Sequence, residues 1–244
     1  MIPWLFLIHG QLWDSSMSHR TSHETIHETS HEAIHEAIHE AAQVLQGGGI
    51  VCVPTESSYG LAADVRCHAA CQRLAVIKSR DLSSPFPTIA ASLEQARTLA
   101  APWPLRANEL AAKHWPGPLT LVVPARSGLP ESLVGASLEV GVRVSANEWA
   151  RLLAALLGGP YTATSANRRG QPAALSSREA HAIFTDQVDF YIDGRRASNS
   201  RPSTVARVTS DGDIQIIRTG PIELKQDLSP INHPISTIQN KSGG

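Results

Sequence analysis

Aromatic residues are scarce, at 5% of 244 residues, which argues against the base-stacking platform that single-strand nucleic-acid binders use. Excess positive charge is missing too. Lys and Arg number 21 against 22 Asp and Glu, for a net charge of −1. Gripping a nucleic acid through many phosphates needs a basic footprint, so that is a poor reading of the chain's main role. Cysteine is limited to Cys52, Cys67 and Cys71, an odd number without Cys-x-x-Cys spacing. Neither a disulfide framework nor a zinc ribbon is expected, and a reducing compartment fits best. No run approaches the roughly 20 apolar residues of a membrane span. The apolar stretch Trp4–Ile8 lacks a preceding positive segment and is short for a signal core. A soluble, cytoplasmic protein without membrane contact is expected.

What is present suffices for one sizeable core, since 42% of residues are hydrophobic. Residues 23–40 repeat a four-residue unit in which His-Glu-x-x-His occurs in overlap at 23, 27, 31 and 35. That pattern serves zinc proteases, where histidines at i and i+4 share a helix face. One zinc site needs one copy and a third ligand, and nothing downstream supplies it. Steps of four residues also advance about 40° beyond a full turn. The segment reads as an exposed low-complexity helix, and no structural metal is expected. Residues 1–33 then form an N-terminal extension, 34–222 a folded domain, and 223–244 a disordered tail.

The chain is organised around Val51–Arg80. A buried strand, Ile50–Val53, enters a turn of small and hydroxylic residues, Pro54–Leu61. A helix from His68 to Lys78 follows, ending in Lys78-Ser79-Arg80. A lone lysine there could merely offset the helix dipole. A second cation and the polar exit Ser79–Ser84 point instead to phosphate binding. Further strands are read at 88–91, 119–124, 140–144, 161–164, 190–194, 203–208 and 214–218. Helices are read at 93–100, 105–114, 148–157 and 178–184, and 126–138 reads as a loop. The pattern is α/β. Arg143, inside an apolar strand, is either an edge charge or a ligand anchor. Ser165-Ala166-Asn167 leaves a strand end ahead of Gly170, and neither a nucleophile elbow nor a Walker loop is present.

Pro54-Thr55-Glu56-x-x-Tyr59-Gly60-Leu61, Lys78-x-Arg80, Trp115-Pro116-Gly117-Pro118-Leu119-Thr120 and Arg143-Val144 are followed by Ser165-Ala166-Asn167-x-x-Gly170, Ser203-Thr204-Val205 and Arg218-x-Gly220. Seven motifs in this order, between about Ile34 and Ile222, resemble the YrdC family of L-threonylcarbamoyladenylate synthases in its single-domain form. The resemblance implies a twisted mixed sheet with helices packed around a concave face, with 34–222 as the catalytic domain. It implies that L-threonine, bicarbonate and ATP, with Mg²⁺, give threonylcarbamoyl-AMP and pyrophosphate. A downstream threonylcarbamoyl transferase complex would then modify the tRNA adenosine next to the anticodon, with at most a weak tRNA contact here. An RNA-binding module using the same concave face without ATP turnover is the alternative.

By resemblance, Lys78 and Arg80 would be catalytic and would bind ATP together with Ser84, Ser165, Asn167 and Arg218. Ser57, Tyr59, Arg143 and Ser203 would bind threonine. The chain departs from the family pattern at Ser57-Ser58 (commonly Thr-Val), at Asp81 and Ser145 (commonly Pro), and at Ile89, near a usual His.

Overall fold

The computed structural model describes residues 31–80, 85–198 and 201–224. The first helix, α1 (His31–Gln46), stops at the glycines: Gly48 sits at φ +79°, and the Gly47, Gly48 and Gly49 amides return to the Gln43, Leu45 and Val44 carbonyls. The apolar run becomes β1 (Val51–Pro54). The turn after it is shorter than expected. Only residues 55–58 turn, tied by Thr55 Oγ1 donating to Ser58 O at 2.6 Å. The chain then returns antiparallel as β2 (Tyr59–Ala62). Every β2 residue is buried, so the polar-apolar alternation that marks a half-exposed strand is missing from the sequence.

There follow α2 (His68–Ile77), β3 (Thr88–Ala90), α3 (Leu93–Arg97), α4 (Leu105–His114), β4 (Leu119–Pro124) and a short α5 (Glu131–Val134). This last helix lies in the expected loop 126–138, where Leu133 and Val134 reach the core. Next come β5 (Glu139–Val144), α6 (Glu148–Leu157), β6 (Tyr161–Thr162), β7 (Thr164–Ser165), α7 (Ser177–Phe184), β8 (Phe190–Tyr191), β9 (Thr204–Val208) and β10 (Ile214–Arg218). Ser92 and Ser176 cap α3 and α7, their hydroxyls accepting from the amides of Gln95 at 3.2 Å and Glu179 at 3.1 Å.

The α/β class holds, but two mixed sheets form where one was expected. Four strands run in the order β7-β2-β1-β8 and six in the order β10-β9-β4-β5-β3-β6. The run 161–164 is therefore divided: β6 pairs with β3 in the larger sheet and β7 with β2 in the smaller. Ala163 is the crossing point, its amide donating to Pro87 O at 2.8 Å. This crossing sets Ser165 opposite Gly60.

A second, smaller core joins Ile34, Ile38 and Leu45 of α1 to Leu153 and Leu157 of α6, with Ile89 and Tyr161. Each fully buried Ile or Leu stabilises by about 1.5–3 kcal/mol, so packing of one face holds α1 rather than its repeat. On its outer face His35 and His39 are exposed, with rings 4.9 Å apart. Among the described residues no three metal-ligating side chains gather; the earlier copies of the repeat lie outside them. Leu224 is fully buried, two residues past the expected domain end. Among the described residues no helix is long and apolar enough to cross a membrane.

Candidate active site

Strand β5 alternates strictly. Val140, Val142 and Val144 enter the core, while Glu139, Gly141 and Arg143 line a cleft of about 890 Å³. Because β5 lies between β4 and β3, Arg143 is no edge charge; its side chain is 12% exposed. Thr120 and Val122 of β4 continue the floor, and Ser57, Gly60 and Ser165 come from the smaller-sheet side.

One end of the cleft is built by the C-terminus of α2. The Ser79 amide returns to Val76 O and the Arg80 amide to Ala75 O, both at 3.0 Å, with Ser79 at φ +46°. This left-handed cap turns the chain so that Lys78 and Arg80 both border the same polar hollow. Lys78 is 7% exposed, and its Nζ donates to Ser165 O at 2.7 Å, to Asn167 Oδ1 at 2.8 Å and to Asn167 O. All three ammonium hydrogens are engaged. Burial, reinforced by the neighbouring Arg80 and Arg168 cations, lowers the Lys78 pKa to about 8. Ser165 Oγ also donates to Asn167 Oδ1 at 2.8 Å, so Ser165, Asn167 and Lys78 form one cluster. Arg80 lies over the Phe86 ring, 4.9 Å from its centroid.

The hollow, of about 210 Å³, shares Arg80, Thr164 and Ser165 with the cleft and adds Arg169. Arg169 was missed by sequence reasoning, although it sits inside the Ser165–Gly170 motif. Ser84 and Asp81 lie outside the described residues. A left-handed conformation costs a residue with a Cβ about 1–2 kcal/mol. Ser79→Gly is therefore expected to raise Tm by about 2–4 °C in a thermal melt, the extra backbone freedom of glycine offsetting part of the gain.

The other end gathers around Arg143. Its guanidinium pairs with Glu56 Oε1, while Ser145 Oγ donates to Glu56 Oε2 at 2.7 Å. Glu56 was not among the expected site residues; its signal was its place in the Pro54–Leu61 motif. Ser145, noted only as a departure, is fully buried. Arg218 donates to Ser203 O from Nε at 3.1 Å and from Nη2 at 2.9 Å, and to Ser203 Oγ at 3.1 Å. Burial and the nearby Arg143 cation both lower the Arg218 pKa. The structure thus sets Arg218 beside Ser203 and Arg143 rather than in the hollow with Lys78. Ser203 Oγ also bonds Thr120 Oγ1 at 2.8 Å.

Gly220 makes this packing feasible, since a Cβ there would lie 2.3 Å from Thr204 N and 2.5 Å from Pro202 O. Tyr59 borders the cleft but does not present its hydroxyl to it. The side chain is buried, and its hydroxyl accepts from Gly194 N at 3.0 Å and donates to Gly194 O at 2.9 Å. Ile89 faces the smaller core while Thr88 lines the cleft, so the missing polar group at 89 does not bear on the cleft surface.

Two cationic centres, one in the hollow and one in the cleft that shares its Arg80, Thr164 and Ser165 lining, suit a ligand pair carrying phosphates and a carboxylate. Residues 43–220 match the Sua5/YciO/YrdC model, described as Telomere recombination. The threonylcarbamoyl-AMP synthase of Nitrosococcus oceani is 33% identical over 68% of this chain and 89% of its own. Pyrococcus abyssi Sua5 in complex with L-threonine superposes with a TM-score of 0.72 at 34% identity; 78% of this chain is covered but only 55% of that one. This chain therefore spans about half the length of that relative, whereas Escherichia coli YciO (TM-score 0.70, 25% identity) is covered over 93% of its length. Since the matched region fills most of the chain and coincides with the segment that builds the cleft, the chain belongs to the Sua5/YciO/YrdC family.

Proposed function

We propose that the protein is an L-threonylcarbamoyladenylate synthase. It joins L-threonine, bicarbonate and ATP into threonylcarbamoyl-AMP and pyrophosphate, for transfer of the threonylcarbamoyl group to a tRNA adenosine by a downstream enzyme complex. The observation that carries this reading is a cleft lined by Arg143, Ser203 and Arg218 that shares Arg80 and Ser165 with the adjoining hollow of Lys78 and Asn167. Relatives named threonylcarbamoyl-AMP synthase support it.

The triphosphate lies toward Lys78 and Arg80, and Arg143 takes the threonine carboxylate with its planar fork. Ser57 and Ser203 hydrogen-bond the amino acid, and Tyr59 fixes the loop behind it through Gly194. Bicarbonate takes up a proton and loses water to supply CO₂; the neutral threonine amine adds to that carbon and gives up one proton, leaving a carbamate and one water. A carbamate oxygen then attacks the α-phosphate, and the bond to the pyrophosphate oxygen breaks. Arg218, held against Ser203 and near Arg143, adds positive charge at the amino-acid end. Such a displacement needs little covalent help; alignment and fixed positive charge supply the rate. Mg²⁺ would enter with ATP as part of the substrate and offset charge on the triphosphate.

Purified protein is expected to release pyrophosphate from ATP only when L-threonine and bicarbonate are both present. Threonine-independent release, or none under any combination, would overturn the assignment.

A further inference from the structure

Glu56 does not itself line the cleft, and both of its carboxylate oxygens are held: Oε1 by Arg143, Oε2 by the buried Ser145 hydroxyl. Ser145 is fixed in turn, its Oγ accepting from Asn147 N at 3.2 Å and its carbonyl from Arg151 at 2.6 Å. Asn147 is the N-cap of α6, so the hydroxyl is anchored to a rigid helix start. From the other side, Ser198 Oγ donates to the Glu56 carbonyl at 2.7 Å. The carboxylate therefore cannot swing into the cleft without breaking several contacts.

We propose that Glu56 and Ser145 are a positioning and specificity pair: they aim the Arg143 guanidinium and set the charge of this end of the cleft to suit one carboxylate. The proposal rests on the synthase reading and on Arg143 as the carboxylate site. The charge argument is direct. Of the cations lining the cleft, Arg207 is paired to Glu139, and Arg80 also borders the hollow beside Lys78. Arg143 and Arg218 remain, close enough for each other's charge to matter. Glu56 cancels one of them, and the remaining single positive charge matches a ligand with one carboxylate. Without Glu56 the same end would carry two positive charges and would favour a dicarboxylate. Orientation follows from geometry: Glu56 holds the guanidinium through Nη1 alone, which leaves the other donors of the fork for the cleft.

The test is calorimetric titration of L-threonine, with L-aspartate as a competitor, into the full chain and three variants. Ser145→Ala is expected to weaken threonine binding about threefold to tenfold, the scale of one lost hydrogen bond to a charged group felt through Arg143. In turnover, its KM for threonine should rise while its KM for ATP stays put, and Ser145→Thr, which keeps the hydroxyl, should restore both. Glu56→Gln keeps the shape and removes the charge, so the threonine-over-aspartate preference should fall at least about fivefold. A mere loss of packing would raise both KM values and leave that preference unchanged, which would overturn the pair's role. So would Ser145→Ala and Glu56→Gln proteins that bind both amino acids as the wild type does. A wild-type chain that binds no threonine would instead remove the reading on which the proposal rests.

Discussion

Lys78→Met is expected to lower pyrophosphate release about 10- to 100-fold, equivalent to about 1.4–2.7 kcal/mol of transition-state stabilisation. That is the scale of losing hydrogen bonds to a charged group. The effect has two sources. The ammonium holds Ser165 O, Asn167 O and Asn167 Oδ1 together, so its removal loosens the turn that presents Ser165 and Asn167. It also deprives the triphosphate end of its most buried cation. Circular dichroism should show the fold retained, because the substitution removes a buried charge as well as its contacts.

The same residue predicts a pH limb. Burial lowers its pKa from an ordinary 10.5 to about 8, so the folded protein gives up this proton more readily than the unfolded chain. Charged Lys78 therefore costs stability below pH 8, and that cost fades as pH rises from about 8 toward 10.5. Function runs the other way. The fall in kcat/KM for ATP on passing pH 8 should be missing in Lys78→Arg, whose guanidinium does not titrate there. An alkaline limb unchanged in that variant would assign it to another group.

Arg143→Lys is expected to raise the KM for threonine at least tenfold while the KM for ATP changes little. Charge is conserved, so any loss reports geometry. The ammonium of a lysine at 143 would be a point charge drawn to Glu56, whereas a planar fork can serve Glu56 and a ligand carboxylate at once. Equal KM values for threonine in the two proteins would show that position 143 contributes only charge. A rise in both KM values would mean that Arg143 supports the cleft as a whole.

Much of this protein was legible in local chemistry. Helices α4 and α6 follow their apolar spacing to the residue, because each buries one face and leaves another to solvent. The serine caps at 92 and 176, the glycine stop at 47–49 and the order of the motifs were also fixed within a few residues of sequence. Local chemistry failed where burial removed its signal. Strand β2 is covered on both faces and reads as a turn, and the four residues 161–164 give no sign that they serve two sheets. Only the tertiary fold set Glu56 and Ser145 against Arg143, across 87 and 89 residues from Glu56 to the other two. Lys78 likewise meets Asn167 across 89 residues of chain. Sequence determined which charged groups were available; strand register and sheet crossing decided which of them neutralise each other and which face the cleft, because charge pairing depends on distance in space rather than along the chain.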